Sequence, residues 1–151
     1  YCFYKGTFIK TTKGNIKIEN LTTDDKLISG NGRILNIQKI NNFITDDYSK
    51  RPYVINRNEY GYDNPMENLY ITENHAVKIN NIFYHPIHNF RKEIKLSELK
   101  PPYDYYHIET DDYFIDTVIA NNMECETYAN QENMNLLNWD CTPDGCFLSK
   151  K

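Results

Sequence analysis

Cysteine and histidine are the side chains best suited to nucleophilic attack and proton transfer near neutral pH, and the chain has four of each. The cysteines are Cys2, Cys125, Cys141 and Cys146. None of them forms a Cys-x-x-Cys pair, so the sequence predicts no metal site and no cofactor. Cys141 and Cys146 are spaced to close a small disulfide loop, and two free thiols are equally compatible with that spacing.

The position of Cys2, one residue from the start of the printed chain, points to a particular substrate. A nucleophile placed there reaches the peptide bond in front of it, Tyr1–Cys2, more readily than a bond in a separate molecule. Of the histidines, His85 and His88 flank Pro86 without any partner spacing, so we expect them to be structural or solvated. The other two histidines lie in longer patterns.

A long pattern surrounds Cys2. It reads Cys2-Phe3-Tyr4-Lys5-Gly6-Thr7-Phe8-Ile9, then Thr11-x-x-Gly14-x-x-x-Ile18-Glu19-x-Leu21, then Asp25-x-Leu27. This gapless run resembles the first block of Hint domains, the module shared by hedgehog C-terminal regions, inteins and bacterial intein-like proteins. A match of this length is far more specific than a lone cysteine.

Two later segments resemble the remaining blocks of the same family. Leu69-x-Ile71-Thr72-x-x-His75-Ala76-Val77 is similar to the second block, in which Thr and His contact the peptide bond before the nucleophile. Tyr106-His107-Ile108-Glu109, followed by Val118-Ile119-Ala120-Asn121-Asn122, is similar to the last block, with Asn122 in place of the usual glycine. The alternative for His107 is a strand histidine with a satisfied hydrogen bond.

The resemblance implies a self-processing reaction. The Cys2 thiolate attacks the carbonyl carbon of Tyr1 and converts the scissile amide into a thioester, an N-to-S acyl shift. His75 is expected to protonate the departing nitrogen, and Thr72 to hold the scissile carbonyl. His107 completes the catalytic set.

Accessory roles are expected for Asn121 and for Cys125, which could accept the thioester or simply be a small buried residue. The substrate is the covalently attached upstream polypeptide, and water, a thiol or an alcohol resolves the thioester. Inteins end in His-Asn, whereas the aligned positions here are Glu126-Thr127. Because threonine has no side-chain amide to cyclise, full protein splicing is not predicted.

Short strands must position these residues. Alternating segments with turns such as Thr12–Asn15 and Asn80–Asn81 predict β-hairpins, and two asparagines favour a type I′ turn. The resemblance implies an all-β Hint fold, a compact pseudo-two-fold horseshoe of hairpins. We expect a Hint domain over 1–128 with a loop or insertion at 41–68. A tail over 129–151 is expected to hold a short helix, a turn after Trp139 and a loose end.

Composition narrows the function. The chain has 151 residues, enough for one domain, and a net charge of -4 without a basic stripe, which argues against nucleic-acid binding. No apolar stretch approaches the roughly 20 residues of a membrane span. We expect a monomer with no membrane contact, and the sequence does not indicate a compartment.

Three other functions are compatible with the sequence. The first is an inactive Hint-fold module that is purely structural or binds a partner. The second is a cysteine peptidase acting in trans through Cys2 and a histidine, which would need an open substrate cleft. The third is a binding module whose contact surface is the tyrosine-rich stretch 41–64.

Overall fold

Short strands separated by turns at glycine, asparagine and proline make up most of the protein. The computed structural model describes residues 2–151, and within that range it contains fifteen β-strands and one α-helix. The elements are β1 (Phe3–Tyr4), β2 (Phe8–Thr11), β3 (Gly14–Lys17), β4 (Lys26–Ile28), β5 (Ile34–Thr45), β6 (Tyr53–Ile55), β7 (Leu69–Ile71), β8 (Val77–Ile79), β9 (Ile82–Tyr84), β10 (Lys95–Leu96), β11 (Tyr103–Thr110), β12 (Thr117–Ala120), β13 (Met123–Glu126), α1 (Gln131–Leu136), β14 (Leu137–Thr142) and β15 (Gly145–Lys150). Three 3₁₀ turns lie at Ile18–Asn20, Tyr48–Lys50 and Pro86–His88. The predicted all-β fold is confirmed.

The strands pair side by side into one open path with the order β10-β6-β7-β1-β11-β5-β4-β2-β12-β13-β8-β9-β15-β14, while β3 pairs with β2. The 12-residue β5 joins the two halves of this path. Its first residues pair with β4, as Asn36 does with Lys26, and the rest pairs with β11. All of these ladders are antiparallel, and tight turns join the hairpins β2–β3, β8–β9, β12–β13 and β14–β15.

The start of the chain lies inside the sheet. Phe3 of β1 pairs with Tyr106 of β11 on one side and with Ile71 of β7 on the other. A two-residue strand is thus hydrogen-bonded along both edges, which places Cys2 between the ends of two other strands.

Apolar side chains at alternate strand positions form the core. Ile9, Leu27, Ile71 and Val118 are each fully buried, and each contributes roughly 1.5–3 kcal/mol through removal from water. The hydrophobic core also includes Phe3, so the strand that follows Cys2 is anchored by a core residue.

Asparagines occupy the left-handed turn positions. Asn80 and Asn81 have φ of 51° and 67°, as the predicted type I′ turn requires. Asn121 and Asn122 have φ of 47° and 68° at the turn between β12 and β13. Buried Asn121 accepts the Phe8 N–H at 2.8 Å and donates through Nδ2 to the Asn68 carbonyl at 3.2 Å, so its amide ties β2 to the segment before β7.

The predicted loop at 41–68 is partly sheet. Residues 41–45 continue β5, and β6 pairs with both β7 and β10. Residues 46–52 form a connection that contains the 3₁₀ turn Tyr48–Lys50, and residues 56–68 consist of turns that include Asn58 and Asp63 with positive φ.

The tail contains the short helix that was expected, but the prediction of a loose end after Trp139 is wrong. After α1 the chain forms a hairpin of β14 and β15, which extends the sheet because Cys146 pairs with Phe83 of β9. A Cβ on Gly145 would lie 2.1 Å from Ile82 Cγ2, so only glycine allows this approach. A Cys141–Cys146 disulfide links the two strands of the hairpin. Within residues 2–151 no helix has the length and apolarity to cross a membrane.

The two adjacent asparagines give a test of this packing. We expect Asn121→Ala to lower the free energy of unfolding by about 3 kcal/mol, because the partly buried Phe8 N–H and the Asn68 carbonyl lose their partner and alanine is strained at a left-handed position. Asn122→Ala is the matched control. Asn122 has a similar φ but an exposed side chain, so we expect this variant to lower the free energy of unfolding by only about 1 kcal/mol. Urea unfolding curves measure both, and equal losses would contradict the structural role of the Asn121 amide.

Candidate active site

Cys2 immediately precedes β1, and the register of β1 shows what surrounds it. Phe3 pairs with Tyr106 and Tyr4 with Tyr105, so one further step of the same antiparallel register sets Cys2 opposite His107. On the other edge, Cys2 meets the end of β7, where Thr72 follows Ile71. Backbone pairing therefore brings two of the predicted catalytic segments to Cys2.

Thr72 holds the backbone of Cys2 at two points. The Cys2 N–H donates to Thr72 Oγ1 at 3.0 Å, and the Thr72 N–H donates to the Cys2 carbonyl at 3.1 Å. Thr72 Oγ1 also lies 3.4 Å from Asn74 Oδ1, which can accept the hydroxyl proton. The Thr72 hydroxyl thus contacts the nitrogen of the Tyr1–Cys2 bond. The Tyr1 carbonyl, which Thr72 is predicted to hold, lies outside the described residues.

His75 follows in the same turn and is completely buried. The backbone N–H of His75 donates to the Thr72 carbonyl at 3.1 Å. Its ring packs on the ring of Phe3, with the ring centroids 4.2 Å apart. Nδ1 lies 3.1 Å from the Cys2 carbonyl oxygen. The imidazole is therefore fixed against the backbone of Cys2.

Both ring nitrogens of His75 face carbonyl oxygens, since Nε2 lies 3.0 Å from the Glu126 carbonyl. A neutral imidazole has a single N–H donor, whereas an imidazolium can donate to both carbonyls. Burial holds the pKa of His75 well below its usual value, although the two backbone carbonyls favour the charged form. At neutral pH the ring is therefore uncharged, and two carbonyl oxygens are placed to stabilise a second proton on it.

The Cys2 side chain borders an open cleft of about 400 Å³, lined also by Phe43, Ser49, Lys50, Arg51, Thr72, Glu73, Asn74, Leu96 and Tyr105. Burial raises the pKa of the Cys2 thiol, so little thiolate exists at rest and attack requires proton removal. The cleft gives the thiol and any second nucleophile access from solvent.

His107 is held by a stacked tyrosine. Its ring lies 3.9 Å from the Tyr128 ring, centroid to centroid, and Nδ1 lies 3.4 Å from Asn41 Nδ2. Burial lowers the pKa of His107 to about 4. The ring is therefore neutral at pH 7 and able to accept a proton.

The two predicted accessory residues lie in structural positions. Asn121 uses its side chain to bond the backbone of Phe8 and Asn68, as described above. Cys125 is buried in the core on β13, with its thiol 3.6 Å from the Met123 carbonyl, and burial raises its pKa well above the usual value. These contacts correspond to the small buried residue that was the alternative for Cys125.

Sequence reasoning missed the structural role of Glu126. Its carboxylate is buried, accepting the Ala76 N–H at 2.8 Å and a hydrogen bond from the Tyr113 hydroxyl, while its carbonyl faces His75. Burial raises the pKa of this carboxyl group. The available signal was its alignment with the histidine that precedes the terminal asparagine of inteins.

The tail hairpin reaches this cluster. Trp139 Nε1 of β14 donates to the Tyr113 hydroxyl at 3.1 Å, and Tyr113 in turn bonds Glu126. A chain of hydrogen bonds therefore runs from the hairpin to the backbone carbonyl beside His75. Nothing in the sequence indicated this connection, because its members are separated by up to 64 positions, from His75 to Trp139.

An all-β domain whose first strand is inserted between two others, with Cys, Thr and His around it, has the architecture of the Hint class. A profile of the Hint domain matches residues 1–132, and the chain belongs to this family. Among curated protein sequences none matches this chain.

Solved structures share the fold. The crystal structure of the gp41-1 intein aligns with a TM-score of 0.59 at 17% identity, over 84% of this chain and 98% of that chain. The solution structure of a bacterial intein-like domain from Clostridium thermocellum aligns with a TM-score of 0.57 at 16% identity, with the same coverage. The crystal structure of the MchDnaB-1 intein aligns with a TM-score of 0.55 at 9% identity, over 83% of this chain and 99% of that chain. At these identities the likeness concerns the fold alone.

The environment of His107 predicts its titration. We expect its ring to titrate near pH 4 in two-dimensional NMR spectra, and Tyr128→Ala to move the midpoint toward 6.5 by exposing the ring. Because the folded pKa is depressed, the unfolded chain takes up the proton first. The contribution of His107 to stability is therefore present above pH 6.5 and lost as the pH falls toward 4. A midpoint near 6.5 in the unaltered protein would contradict the burial of this ring.

Proposed function

We propose that the domain cleaves the Tyr1–Cys2 bond through a thioester, without full protein splicing. One observation carries the proposal: the nitrogen of that bond donates to Thr72 Oγ1 at 3.0 Å, while His75 Nδ1 lies 3.1 Å from the adjoining Cys2 carbonyl. A hydroxyl and an imidazole are thus positioned at the leaving side of the bond. Family membership supports the coarser assignment to self-processing intein-like domains.

The acyl shift exchanges one bond for another. The Cys2 thiolate attacks the carbonyl carbon of Tyr1, a C–S bond forms, and the resulting tetrahedral intermediate loses its C–N bond. The products are a thioester on Cys2 Sγ and a free amino group on the Cys2 nitrogen. If that nitrogen is not protonated, the intermediate returns to the amide, so the proton supply decides the direction.

Two imidazoles are proposed to handle protons. His107, opposite Cys2 in register and neutral at pH 7, accepts the thiol proton. His75 is uncharged at rest, so it first takes up a proton in exchange for the one that the thiol releases; the Cys2 and Glu126 carbonyls stabilise this proton, and His75 passes it to the nitrogen that Thr72 contacts. One proton is released and one is taken up, so the shift is neutral overall.

The thioester is then resolved from the cleft. Water would give simple cleavage, and a thiol or an alcohol would give acyl transfer to the attacking group. Glu126 and Thr127 replace the His-Asn pair of inteins, and neither side chain can cyclise as asparagine does. The upstream polypeptide is therefore the part that is released.

The first test is a fusion of a reporter domain upstream of Tyr1, followed by mass spectrometry with and without dithiothreitol. We expect release at Tyr1–Cys2, faster with thiol and absent in Cys2→Ala. Thr72→Val, which removes the hydroxyl and keeps the shape, should slow release about 100-fold. Thr72→Ser retains the hydroxyl and is the matched control, within about fivefold of the parent.

Each result has a defined meaning. His75→Ala should also block release while a thermal unfolding transition shows that the domain still folds. A fusion that stays intact under every condition would refute the activity, and the protein would then be an inactive Hint-fold module. Equal rates of reporter release in Thr72→Val and Thr72→Ser would show that the Thr72 hydroxyl has no part in the reaction.

A second fusion tests the absence of splicing. With reporters both upstream of Tyr1 and downstream of Lys151, we expect the upstream reporter to be released and the downstream reporter to remain attached. Intact-mass measurement distinguishes this outcome from ligation of the two reporters. A ligated product would show that another residue performs the role of the terminal asparagine.

A further inference from the structure

A cluster of potential metal ligands lies at the sheet edge formed by β9, β15 and β14. His85 follows β9, while Cys141 and Cys146 pair directly across the tail hairpin. The ligand atoms of these three residues lie within 4.8 Å of one another, and His85 Nδ1 is 3.2 Å from Cys141 Sγ. A disulfide alone does not require an imidazole nitrogen aimed at one of its sulfurs.

A second imidazole lies beside the first. The 3₁₀ turn Pro86–His88 brings residues three apart onto the same face, and the rings of His85 and His88 are 5.9 Å apart, centroid to centroid. His88 is exposed and its ring stacks on Phe90, so binding at the cluster requires the His88 side chain to leave this contact and turn toward Cys141. The pattern is His-x-x-His with Cys-x₄-Cys, and the cysteine spacing is that of structural zinc sites.

We propose that the reduced form of this hairpin binds a Zn²⁺ ion through His85, His88, Cys141 and Cys146. Two thiolates and two imidazoles are the donors that Zn²⁺ prefers over Mg²⁺ or Ca²⁺. In a tetrahedral zinc site the ligand atoms are about 3.4–3.8 Å apart. The present cluster approaches that spacing once the two sulfurs separate.

The exchange between the two states balances. A dithiol reductant gives up two electrons and two protons to the Cys141–Cys146 bond and becomes a disulfide, leaving two thiols in the hairpin. Binding of Zn²⁺ then releases those two protons as the thiols become thiolates. The hairpin would be closed by a covalent bond under oxidising conditions and by the metal under reducing conditions.

The test uses the full chain carrying Cys2→Ala, which removes the accessible free thiol, while Cys125 is buried in the core. The protein is reduced with a phosphine, which leaves no thiol reductant to chelate the metal, and titrated with Zn²⁺ against a chromophoric chelator. We expect one equivalent to bind in the reduced protein and none in the oxidised protein. Co²⁺ in place of Zn²⁺ should give the absorption of a tetrahedral site with sulfur-to-metal charge transfer.

Variants assign the ligands. His85→Ala keeps both cysteines and should weaken Zn²⁺ binding about 100-fold, as should Cys141→Ser. His88→Ala should weaken it about tenfold, and His107→Ala, a histidine outside the cluster, should leave it unchanged. Circular dichroism of each variant shows whether it is folded. Failure of the folded, reduced parent to bind Zn²⁺, or unaltered binding in His85→Ala, would overturn the proposal and leave a plain disulfide.

Discussion

A strand of two residues forms too few hydrogen bonds to hold its own position, and β1 is fixed only because both of its edges are paired. Phe3 pairs with Tyr106 on one side and with Ile71 on the other, and the Phe3 ring is buried against His75. The ends of β7 and β11 therefore converge on Cys2. Loss of either pairing would free Cys2 from the ends of both strands, so the position of Cys2 depends on the sheet.

The electrostatics of the site depend on the same arrangement. Burial disfavours charge on Cys2 and His75, yet His75 is flanked by two carbonyl oxygens that favour its protonated form. Such a group resists protonation from solvent and gains stabilisation when a proton arrives locally. The proposed cleavage would therefore have a proton donor and a proton acceptor beside one bond, while two hydrogen bonds from Thr72 fix the backbone of Cys2.

Local sequence patterns were sufficient for much of this structure. Alternation predicted the hairpins, paired asparagines predicted the turn at Asn80–Asn81, and the block around Cys2 predicted the fold. The long reach of β5 and the docking of the tail hairpin were not predictable, because non-local pairing decides both. The cleft at Cys2 was not predictable either, because Ser49 to Arg51 line it and these residues belong to the region expected to be a loop or insertion. Glu126 was misjudged because its importance comes from burial beside His75, which no spacing reveals.

The hydrogen bond from Trp139 to Tyr113 has a consequence for where the working unit ends. The family profile stops at residue 132, yet the side chain that satisfies Tyr113 comes from beyond it. A protein engineer who trimmed the chain to the family boundary would leave Tyr113 and the buried carboxylate of Glu126 facing an uncovered sheet edge. In this protein the packed unit is therefore longer than the shared module, and its extra hairpin covers Tyr113 without lining the cleft at Cys2.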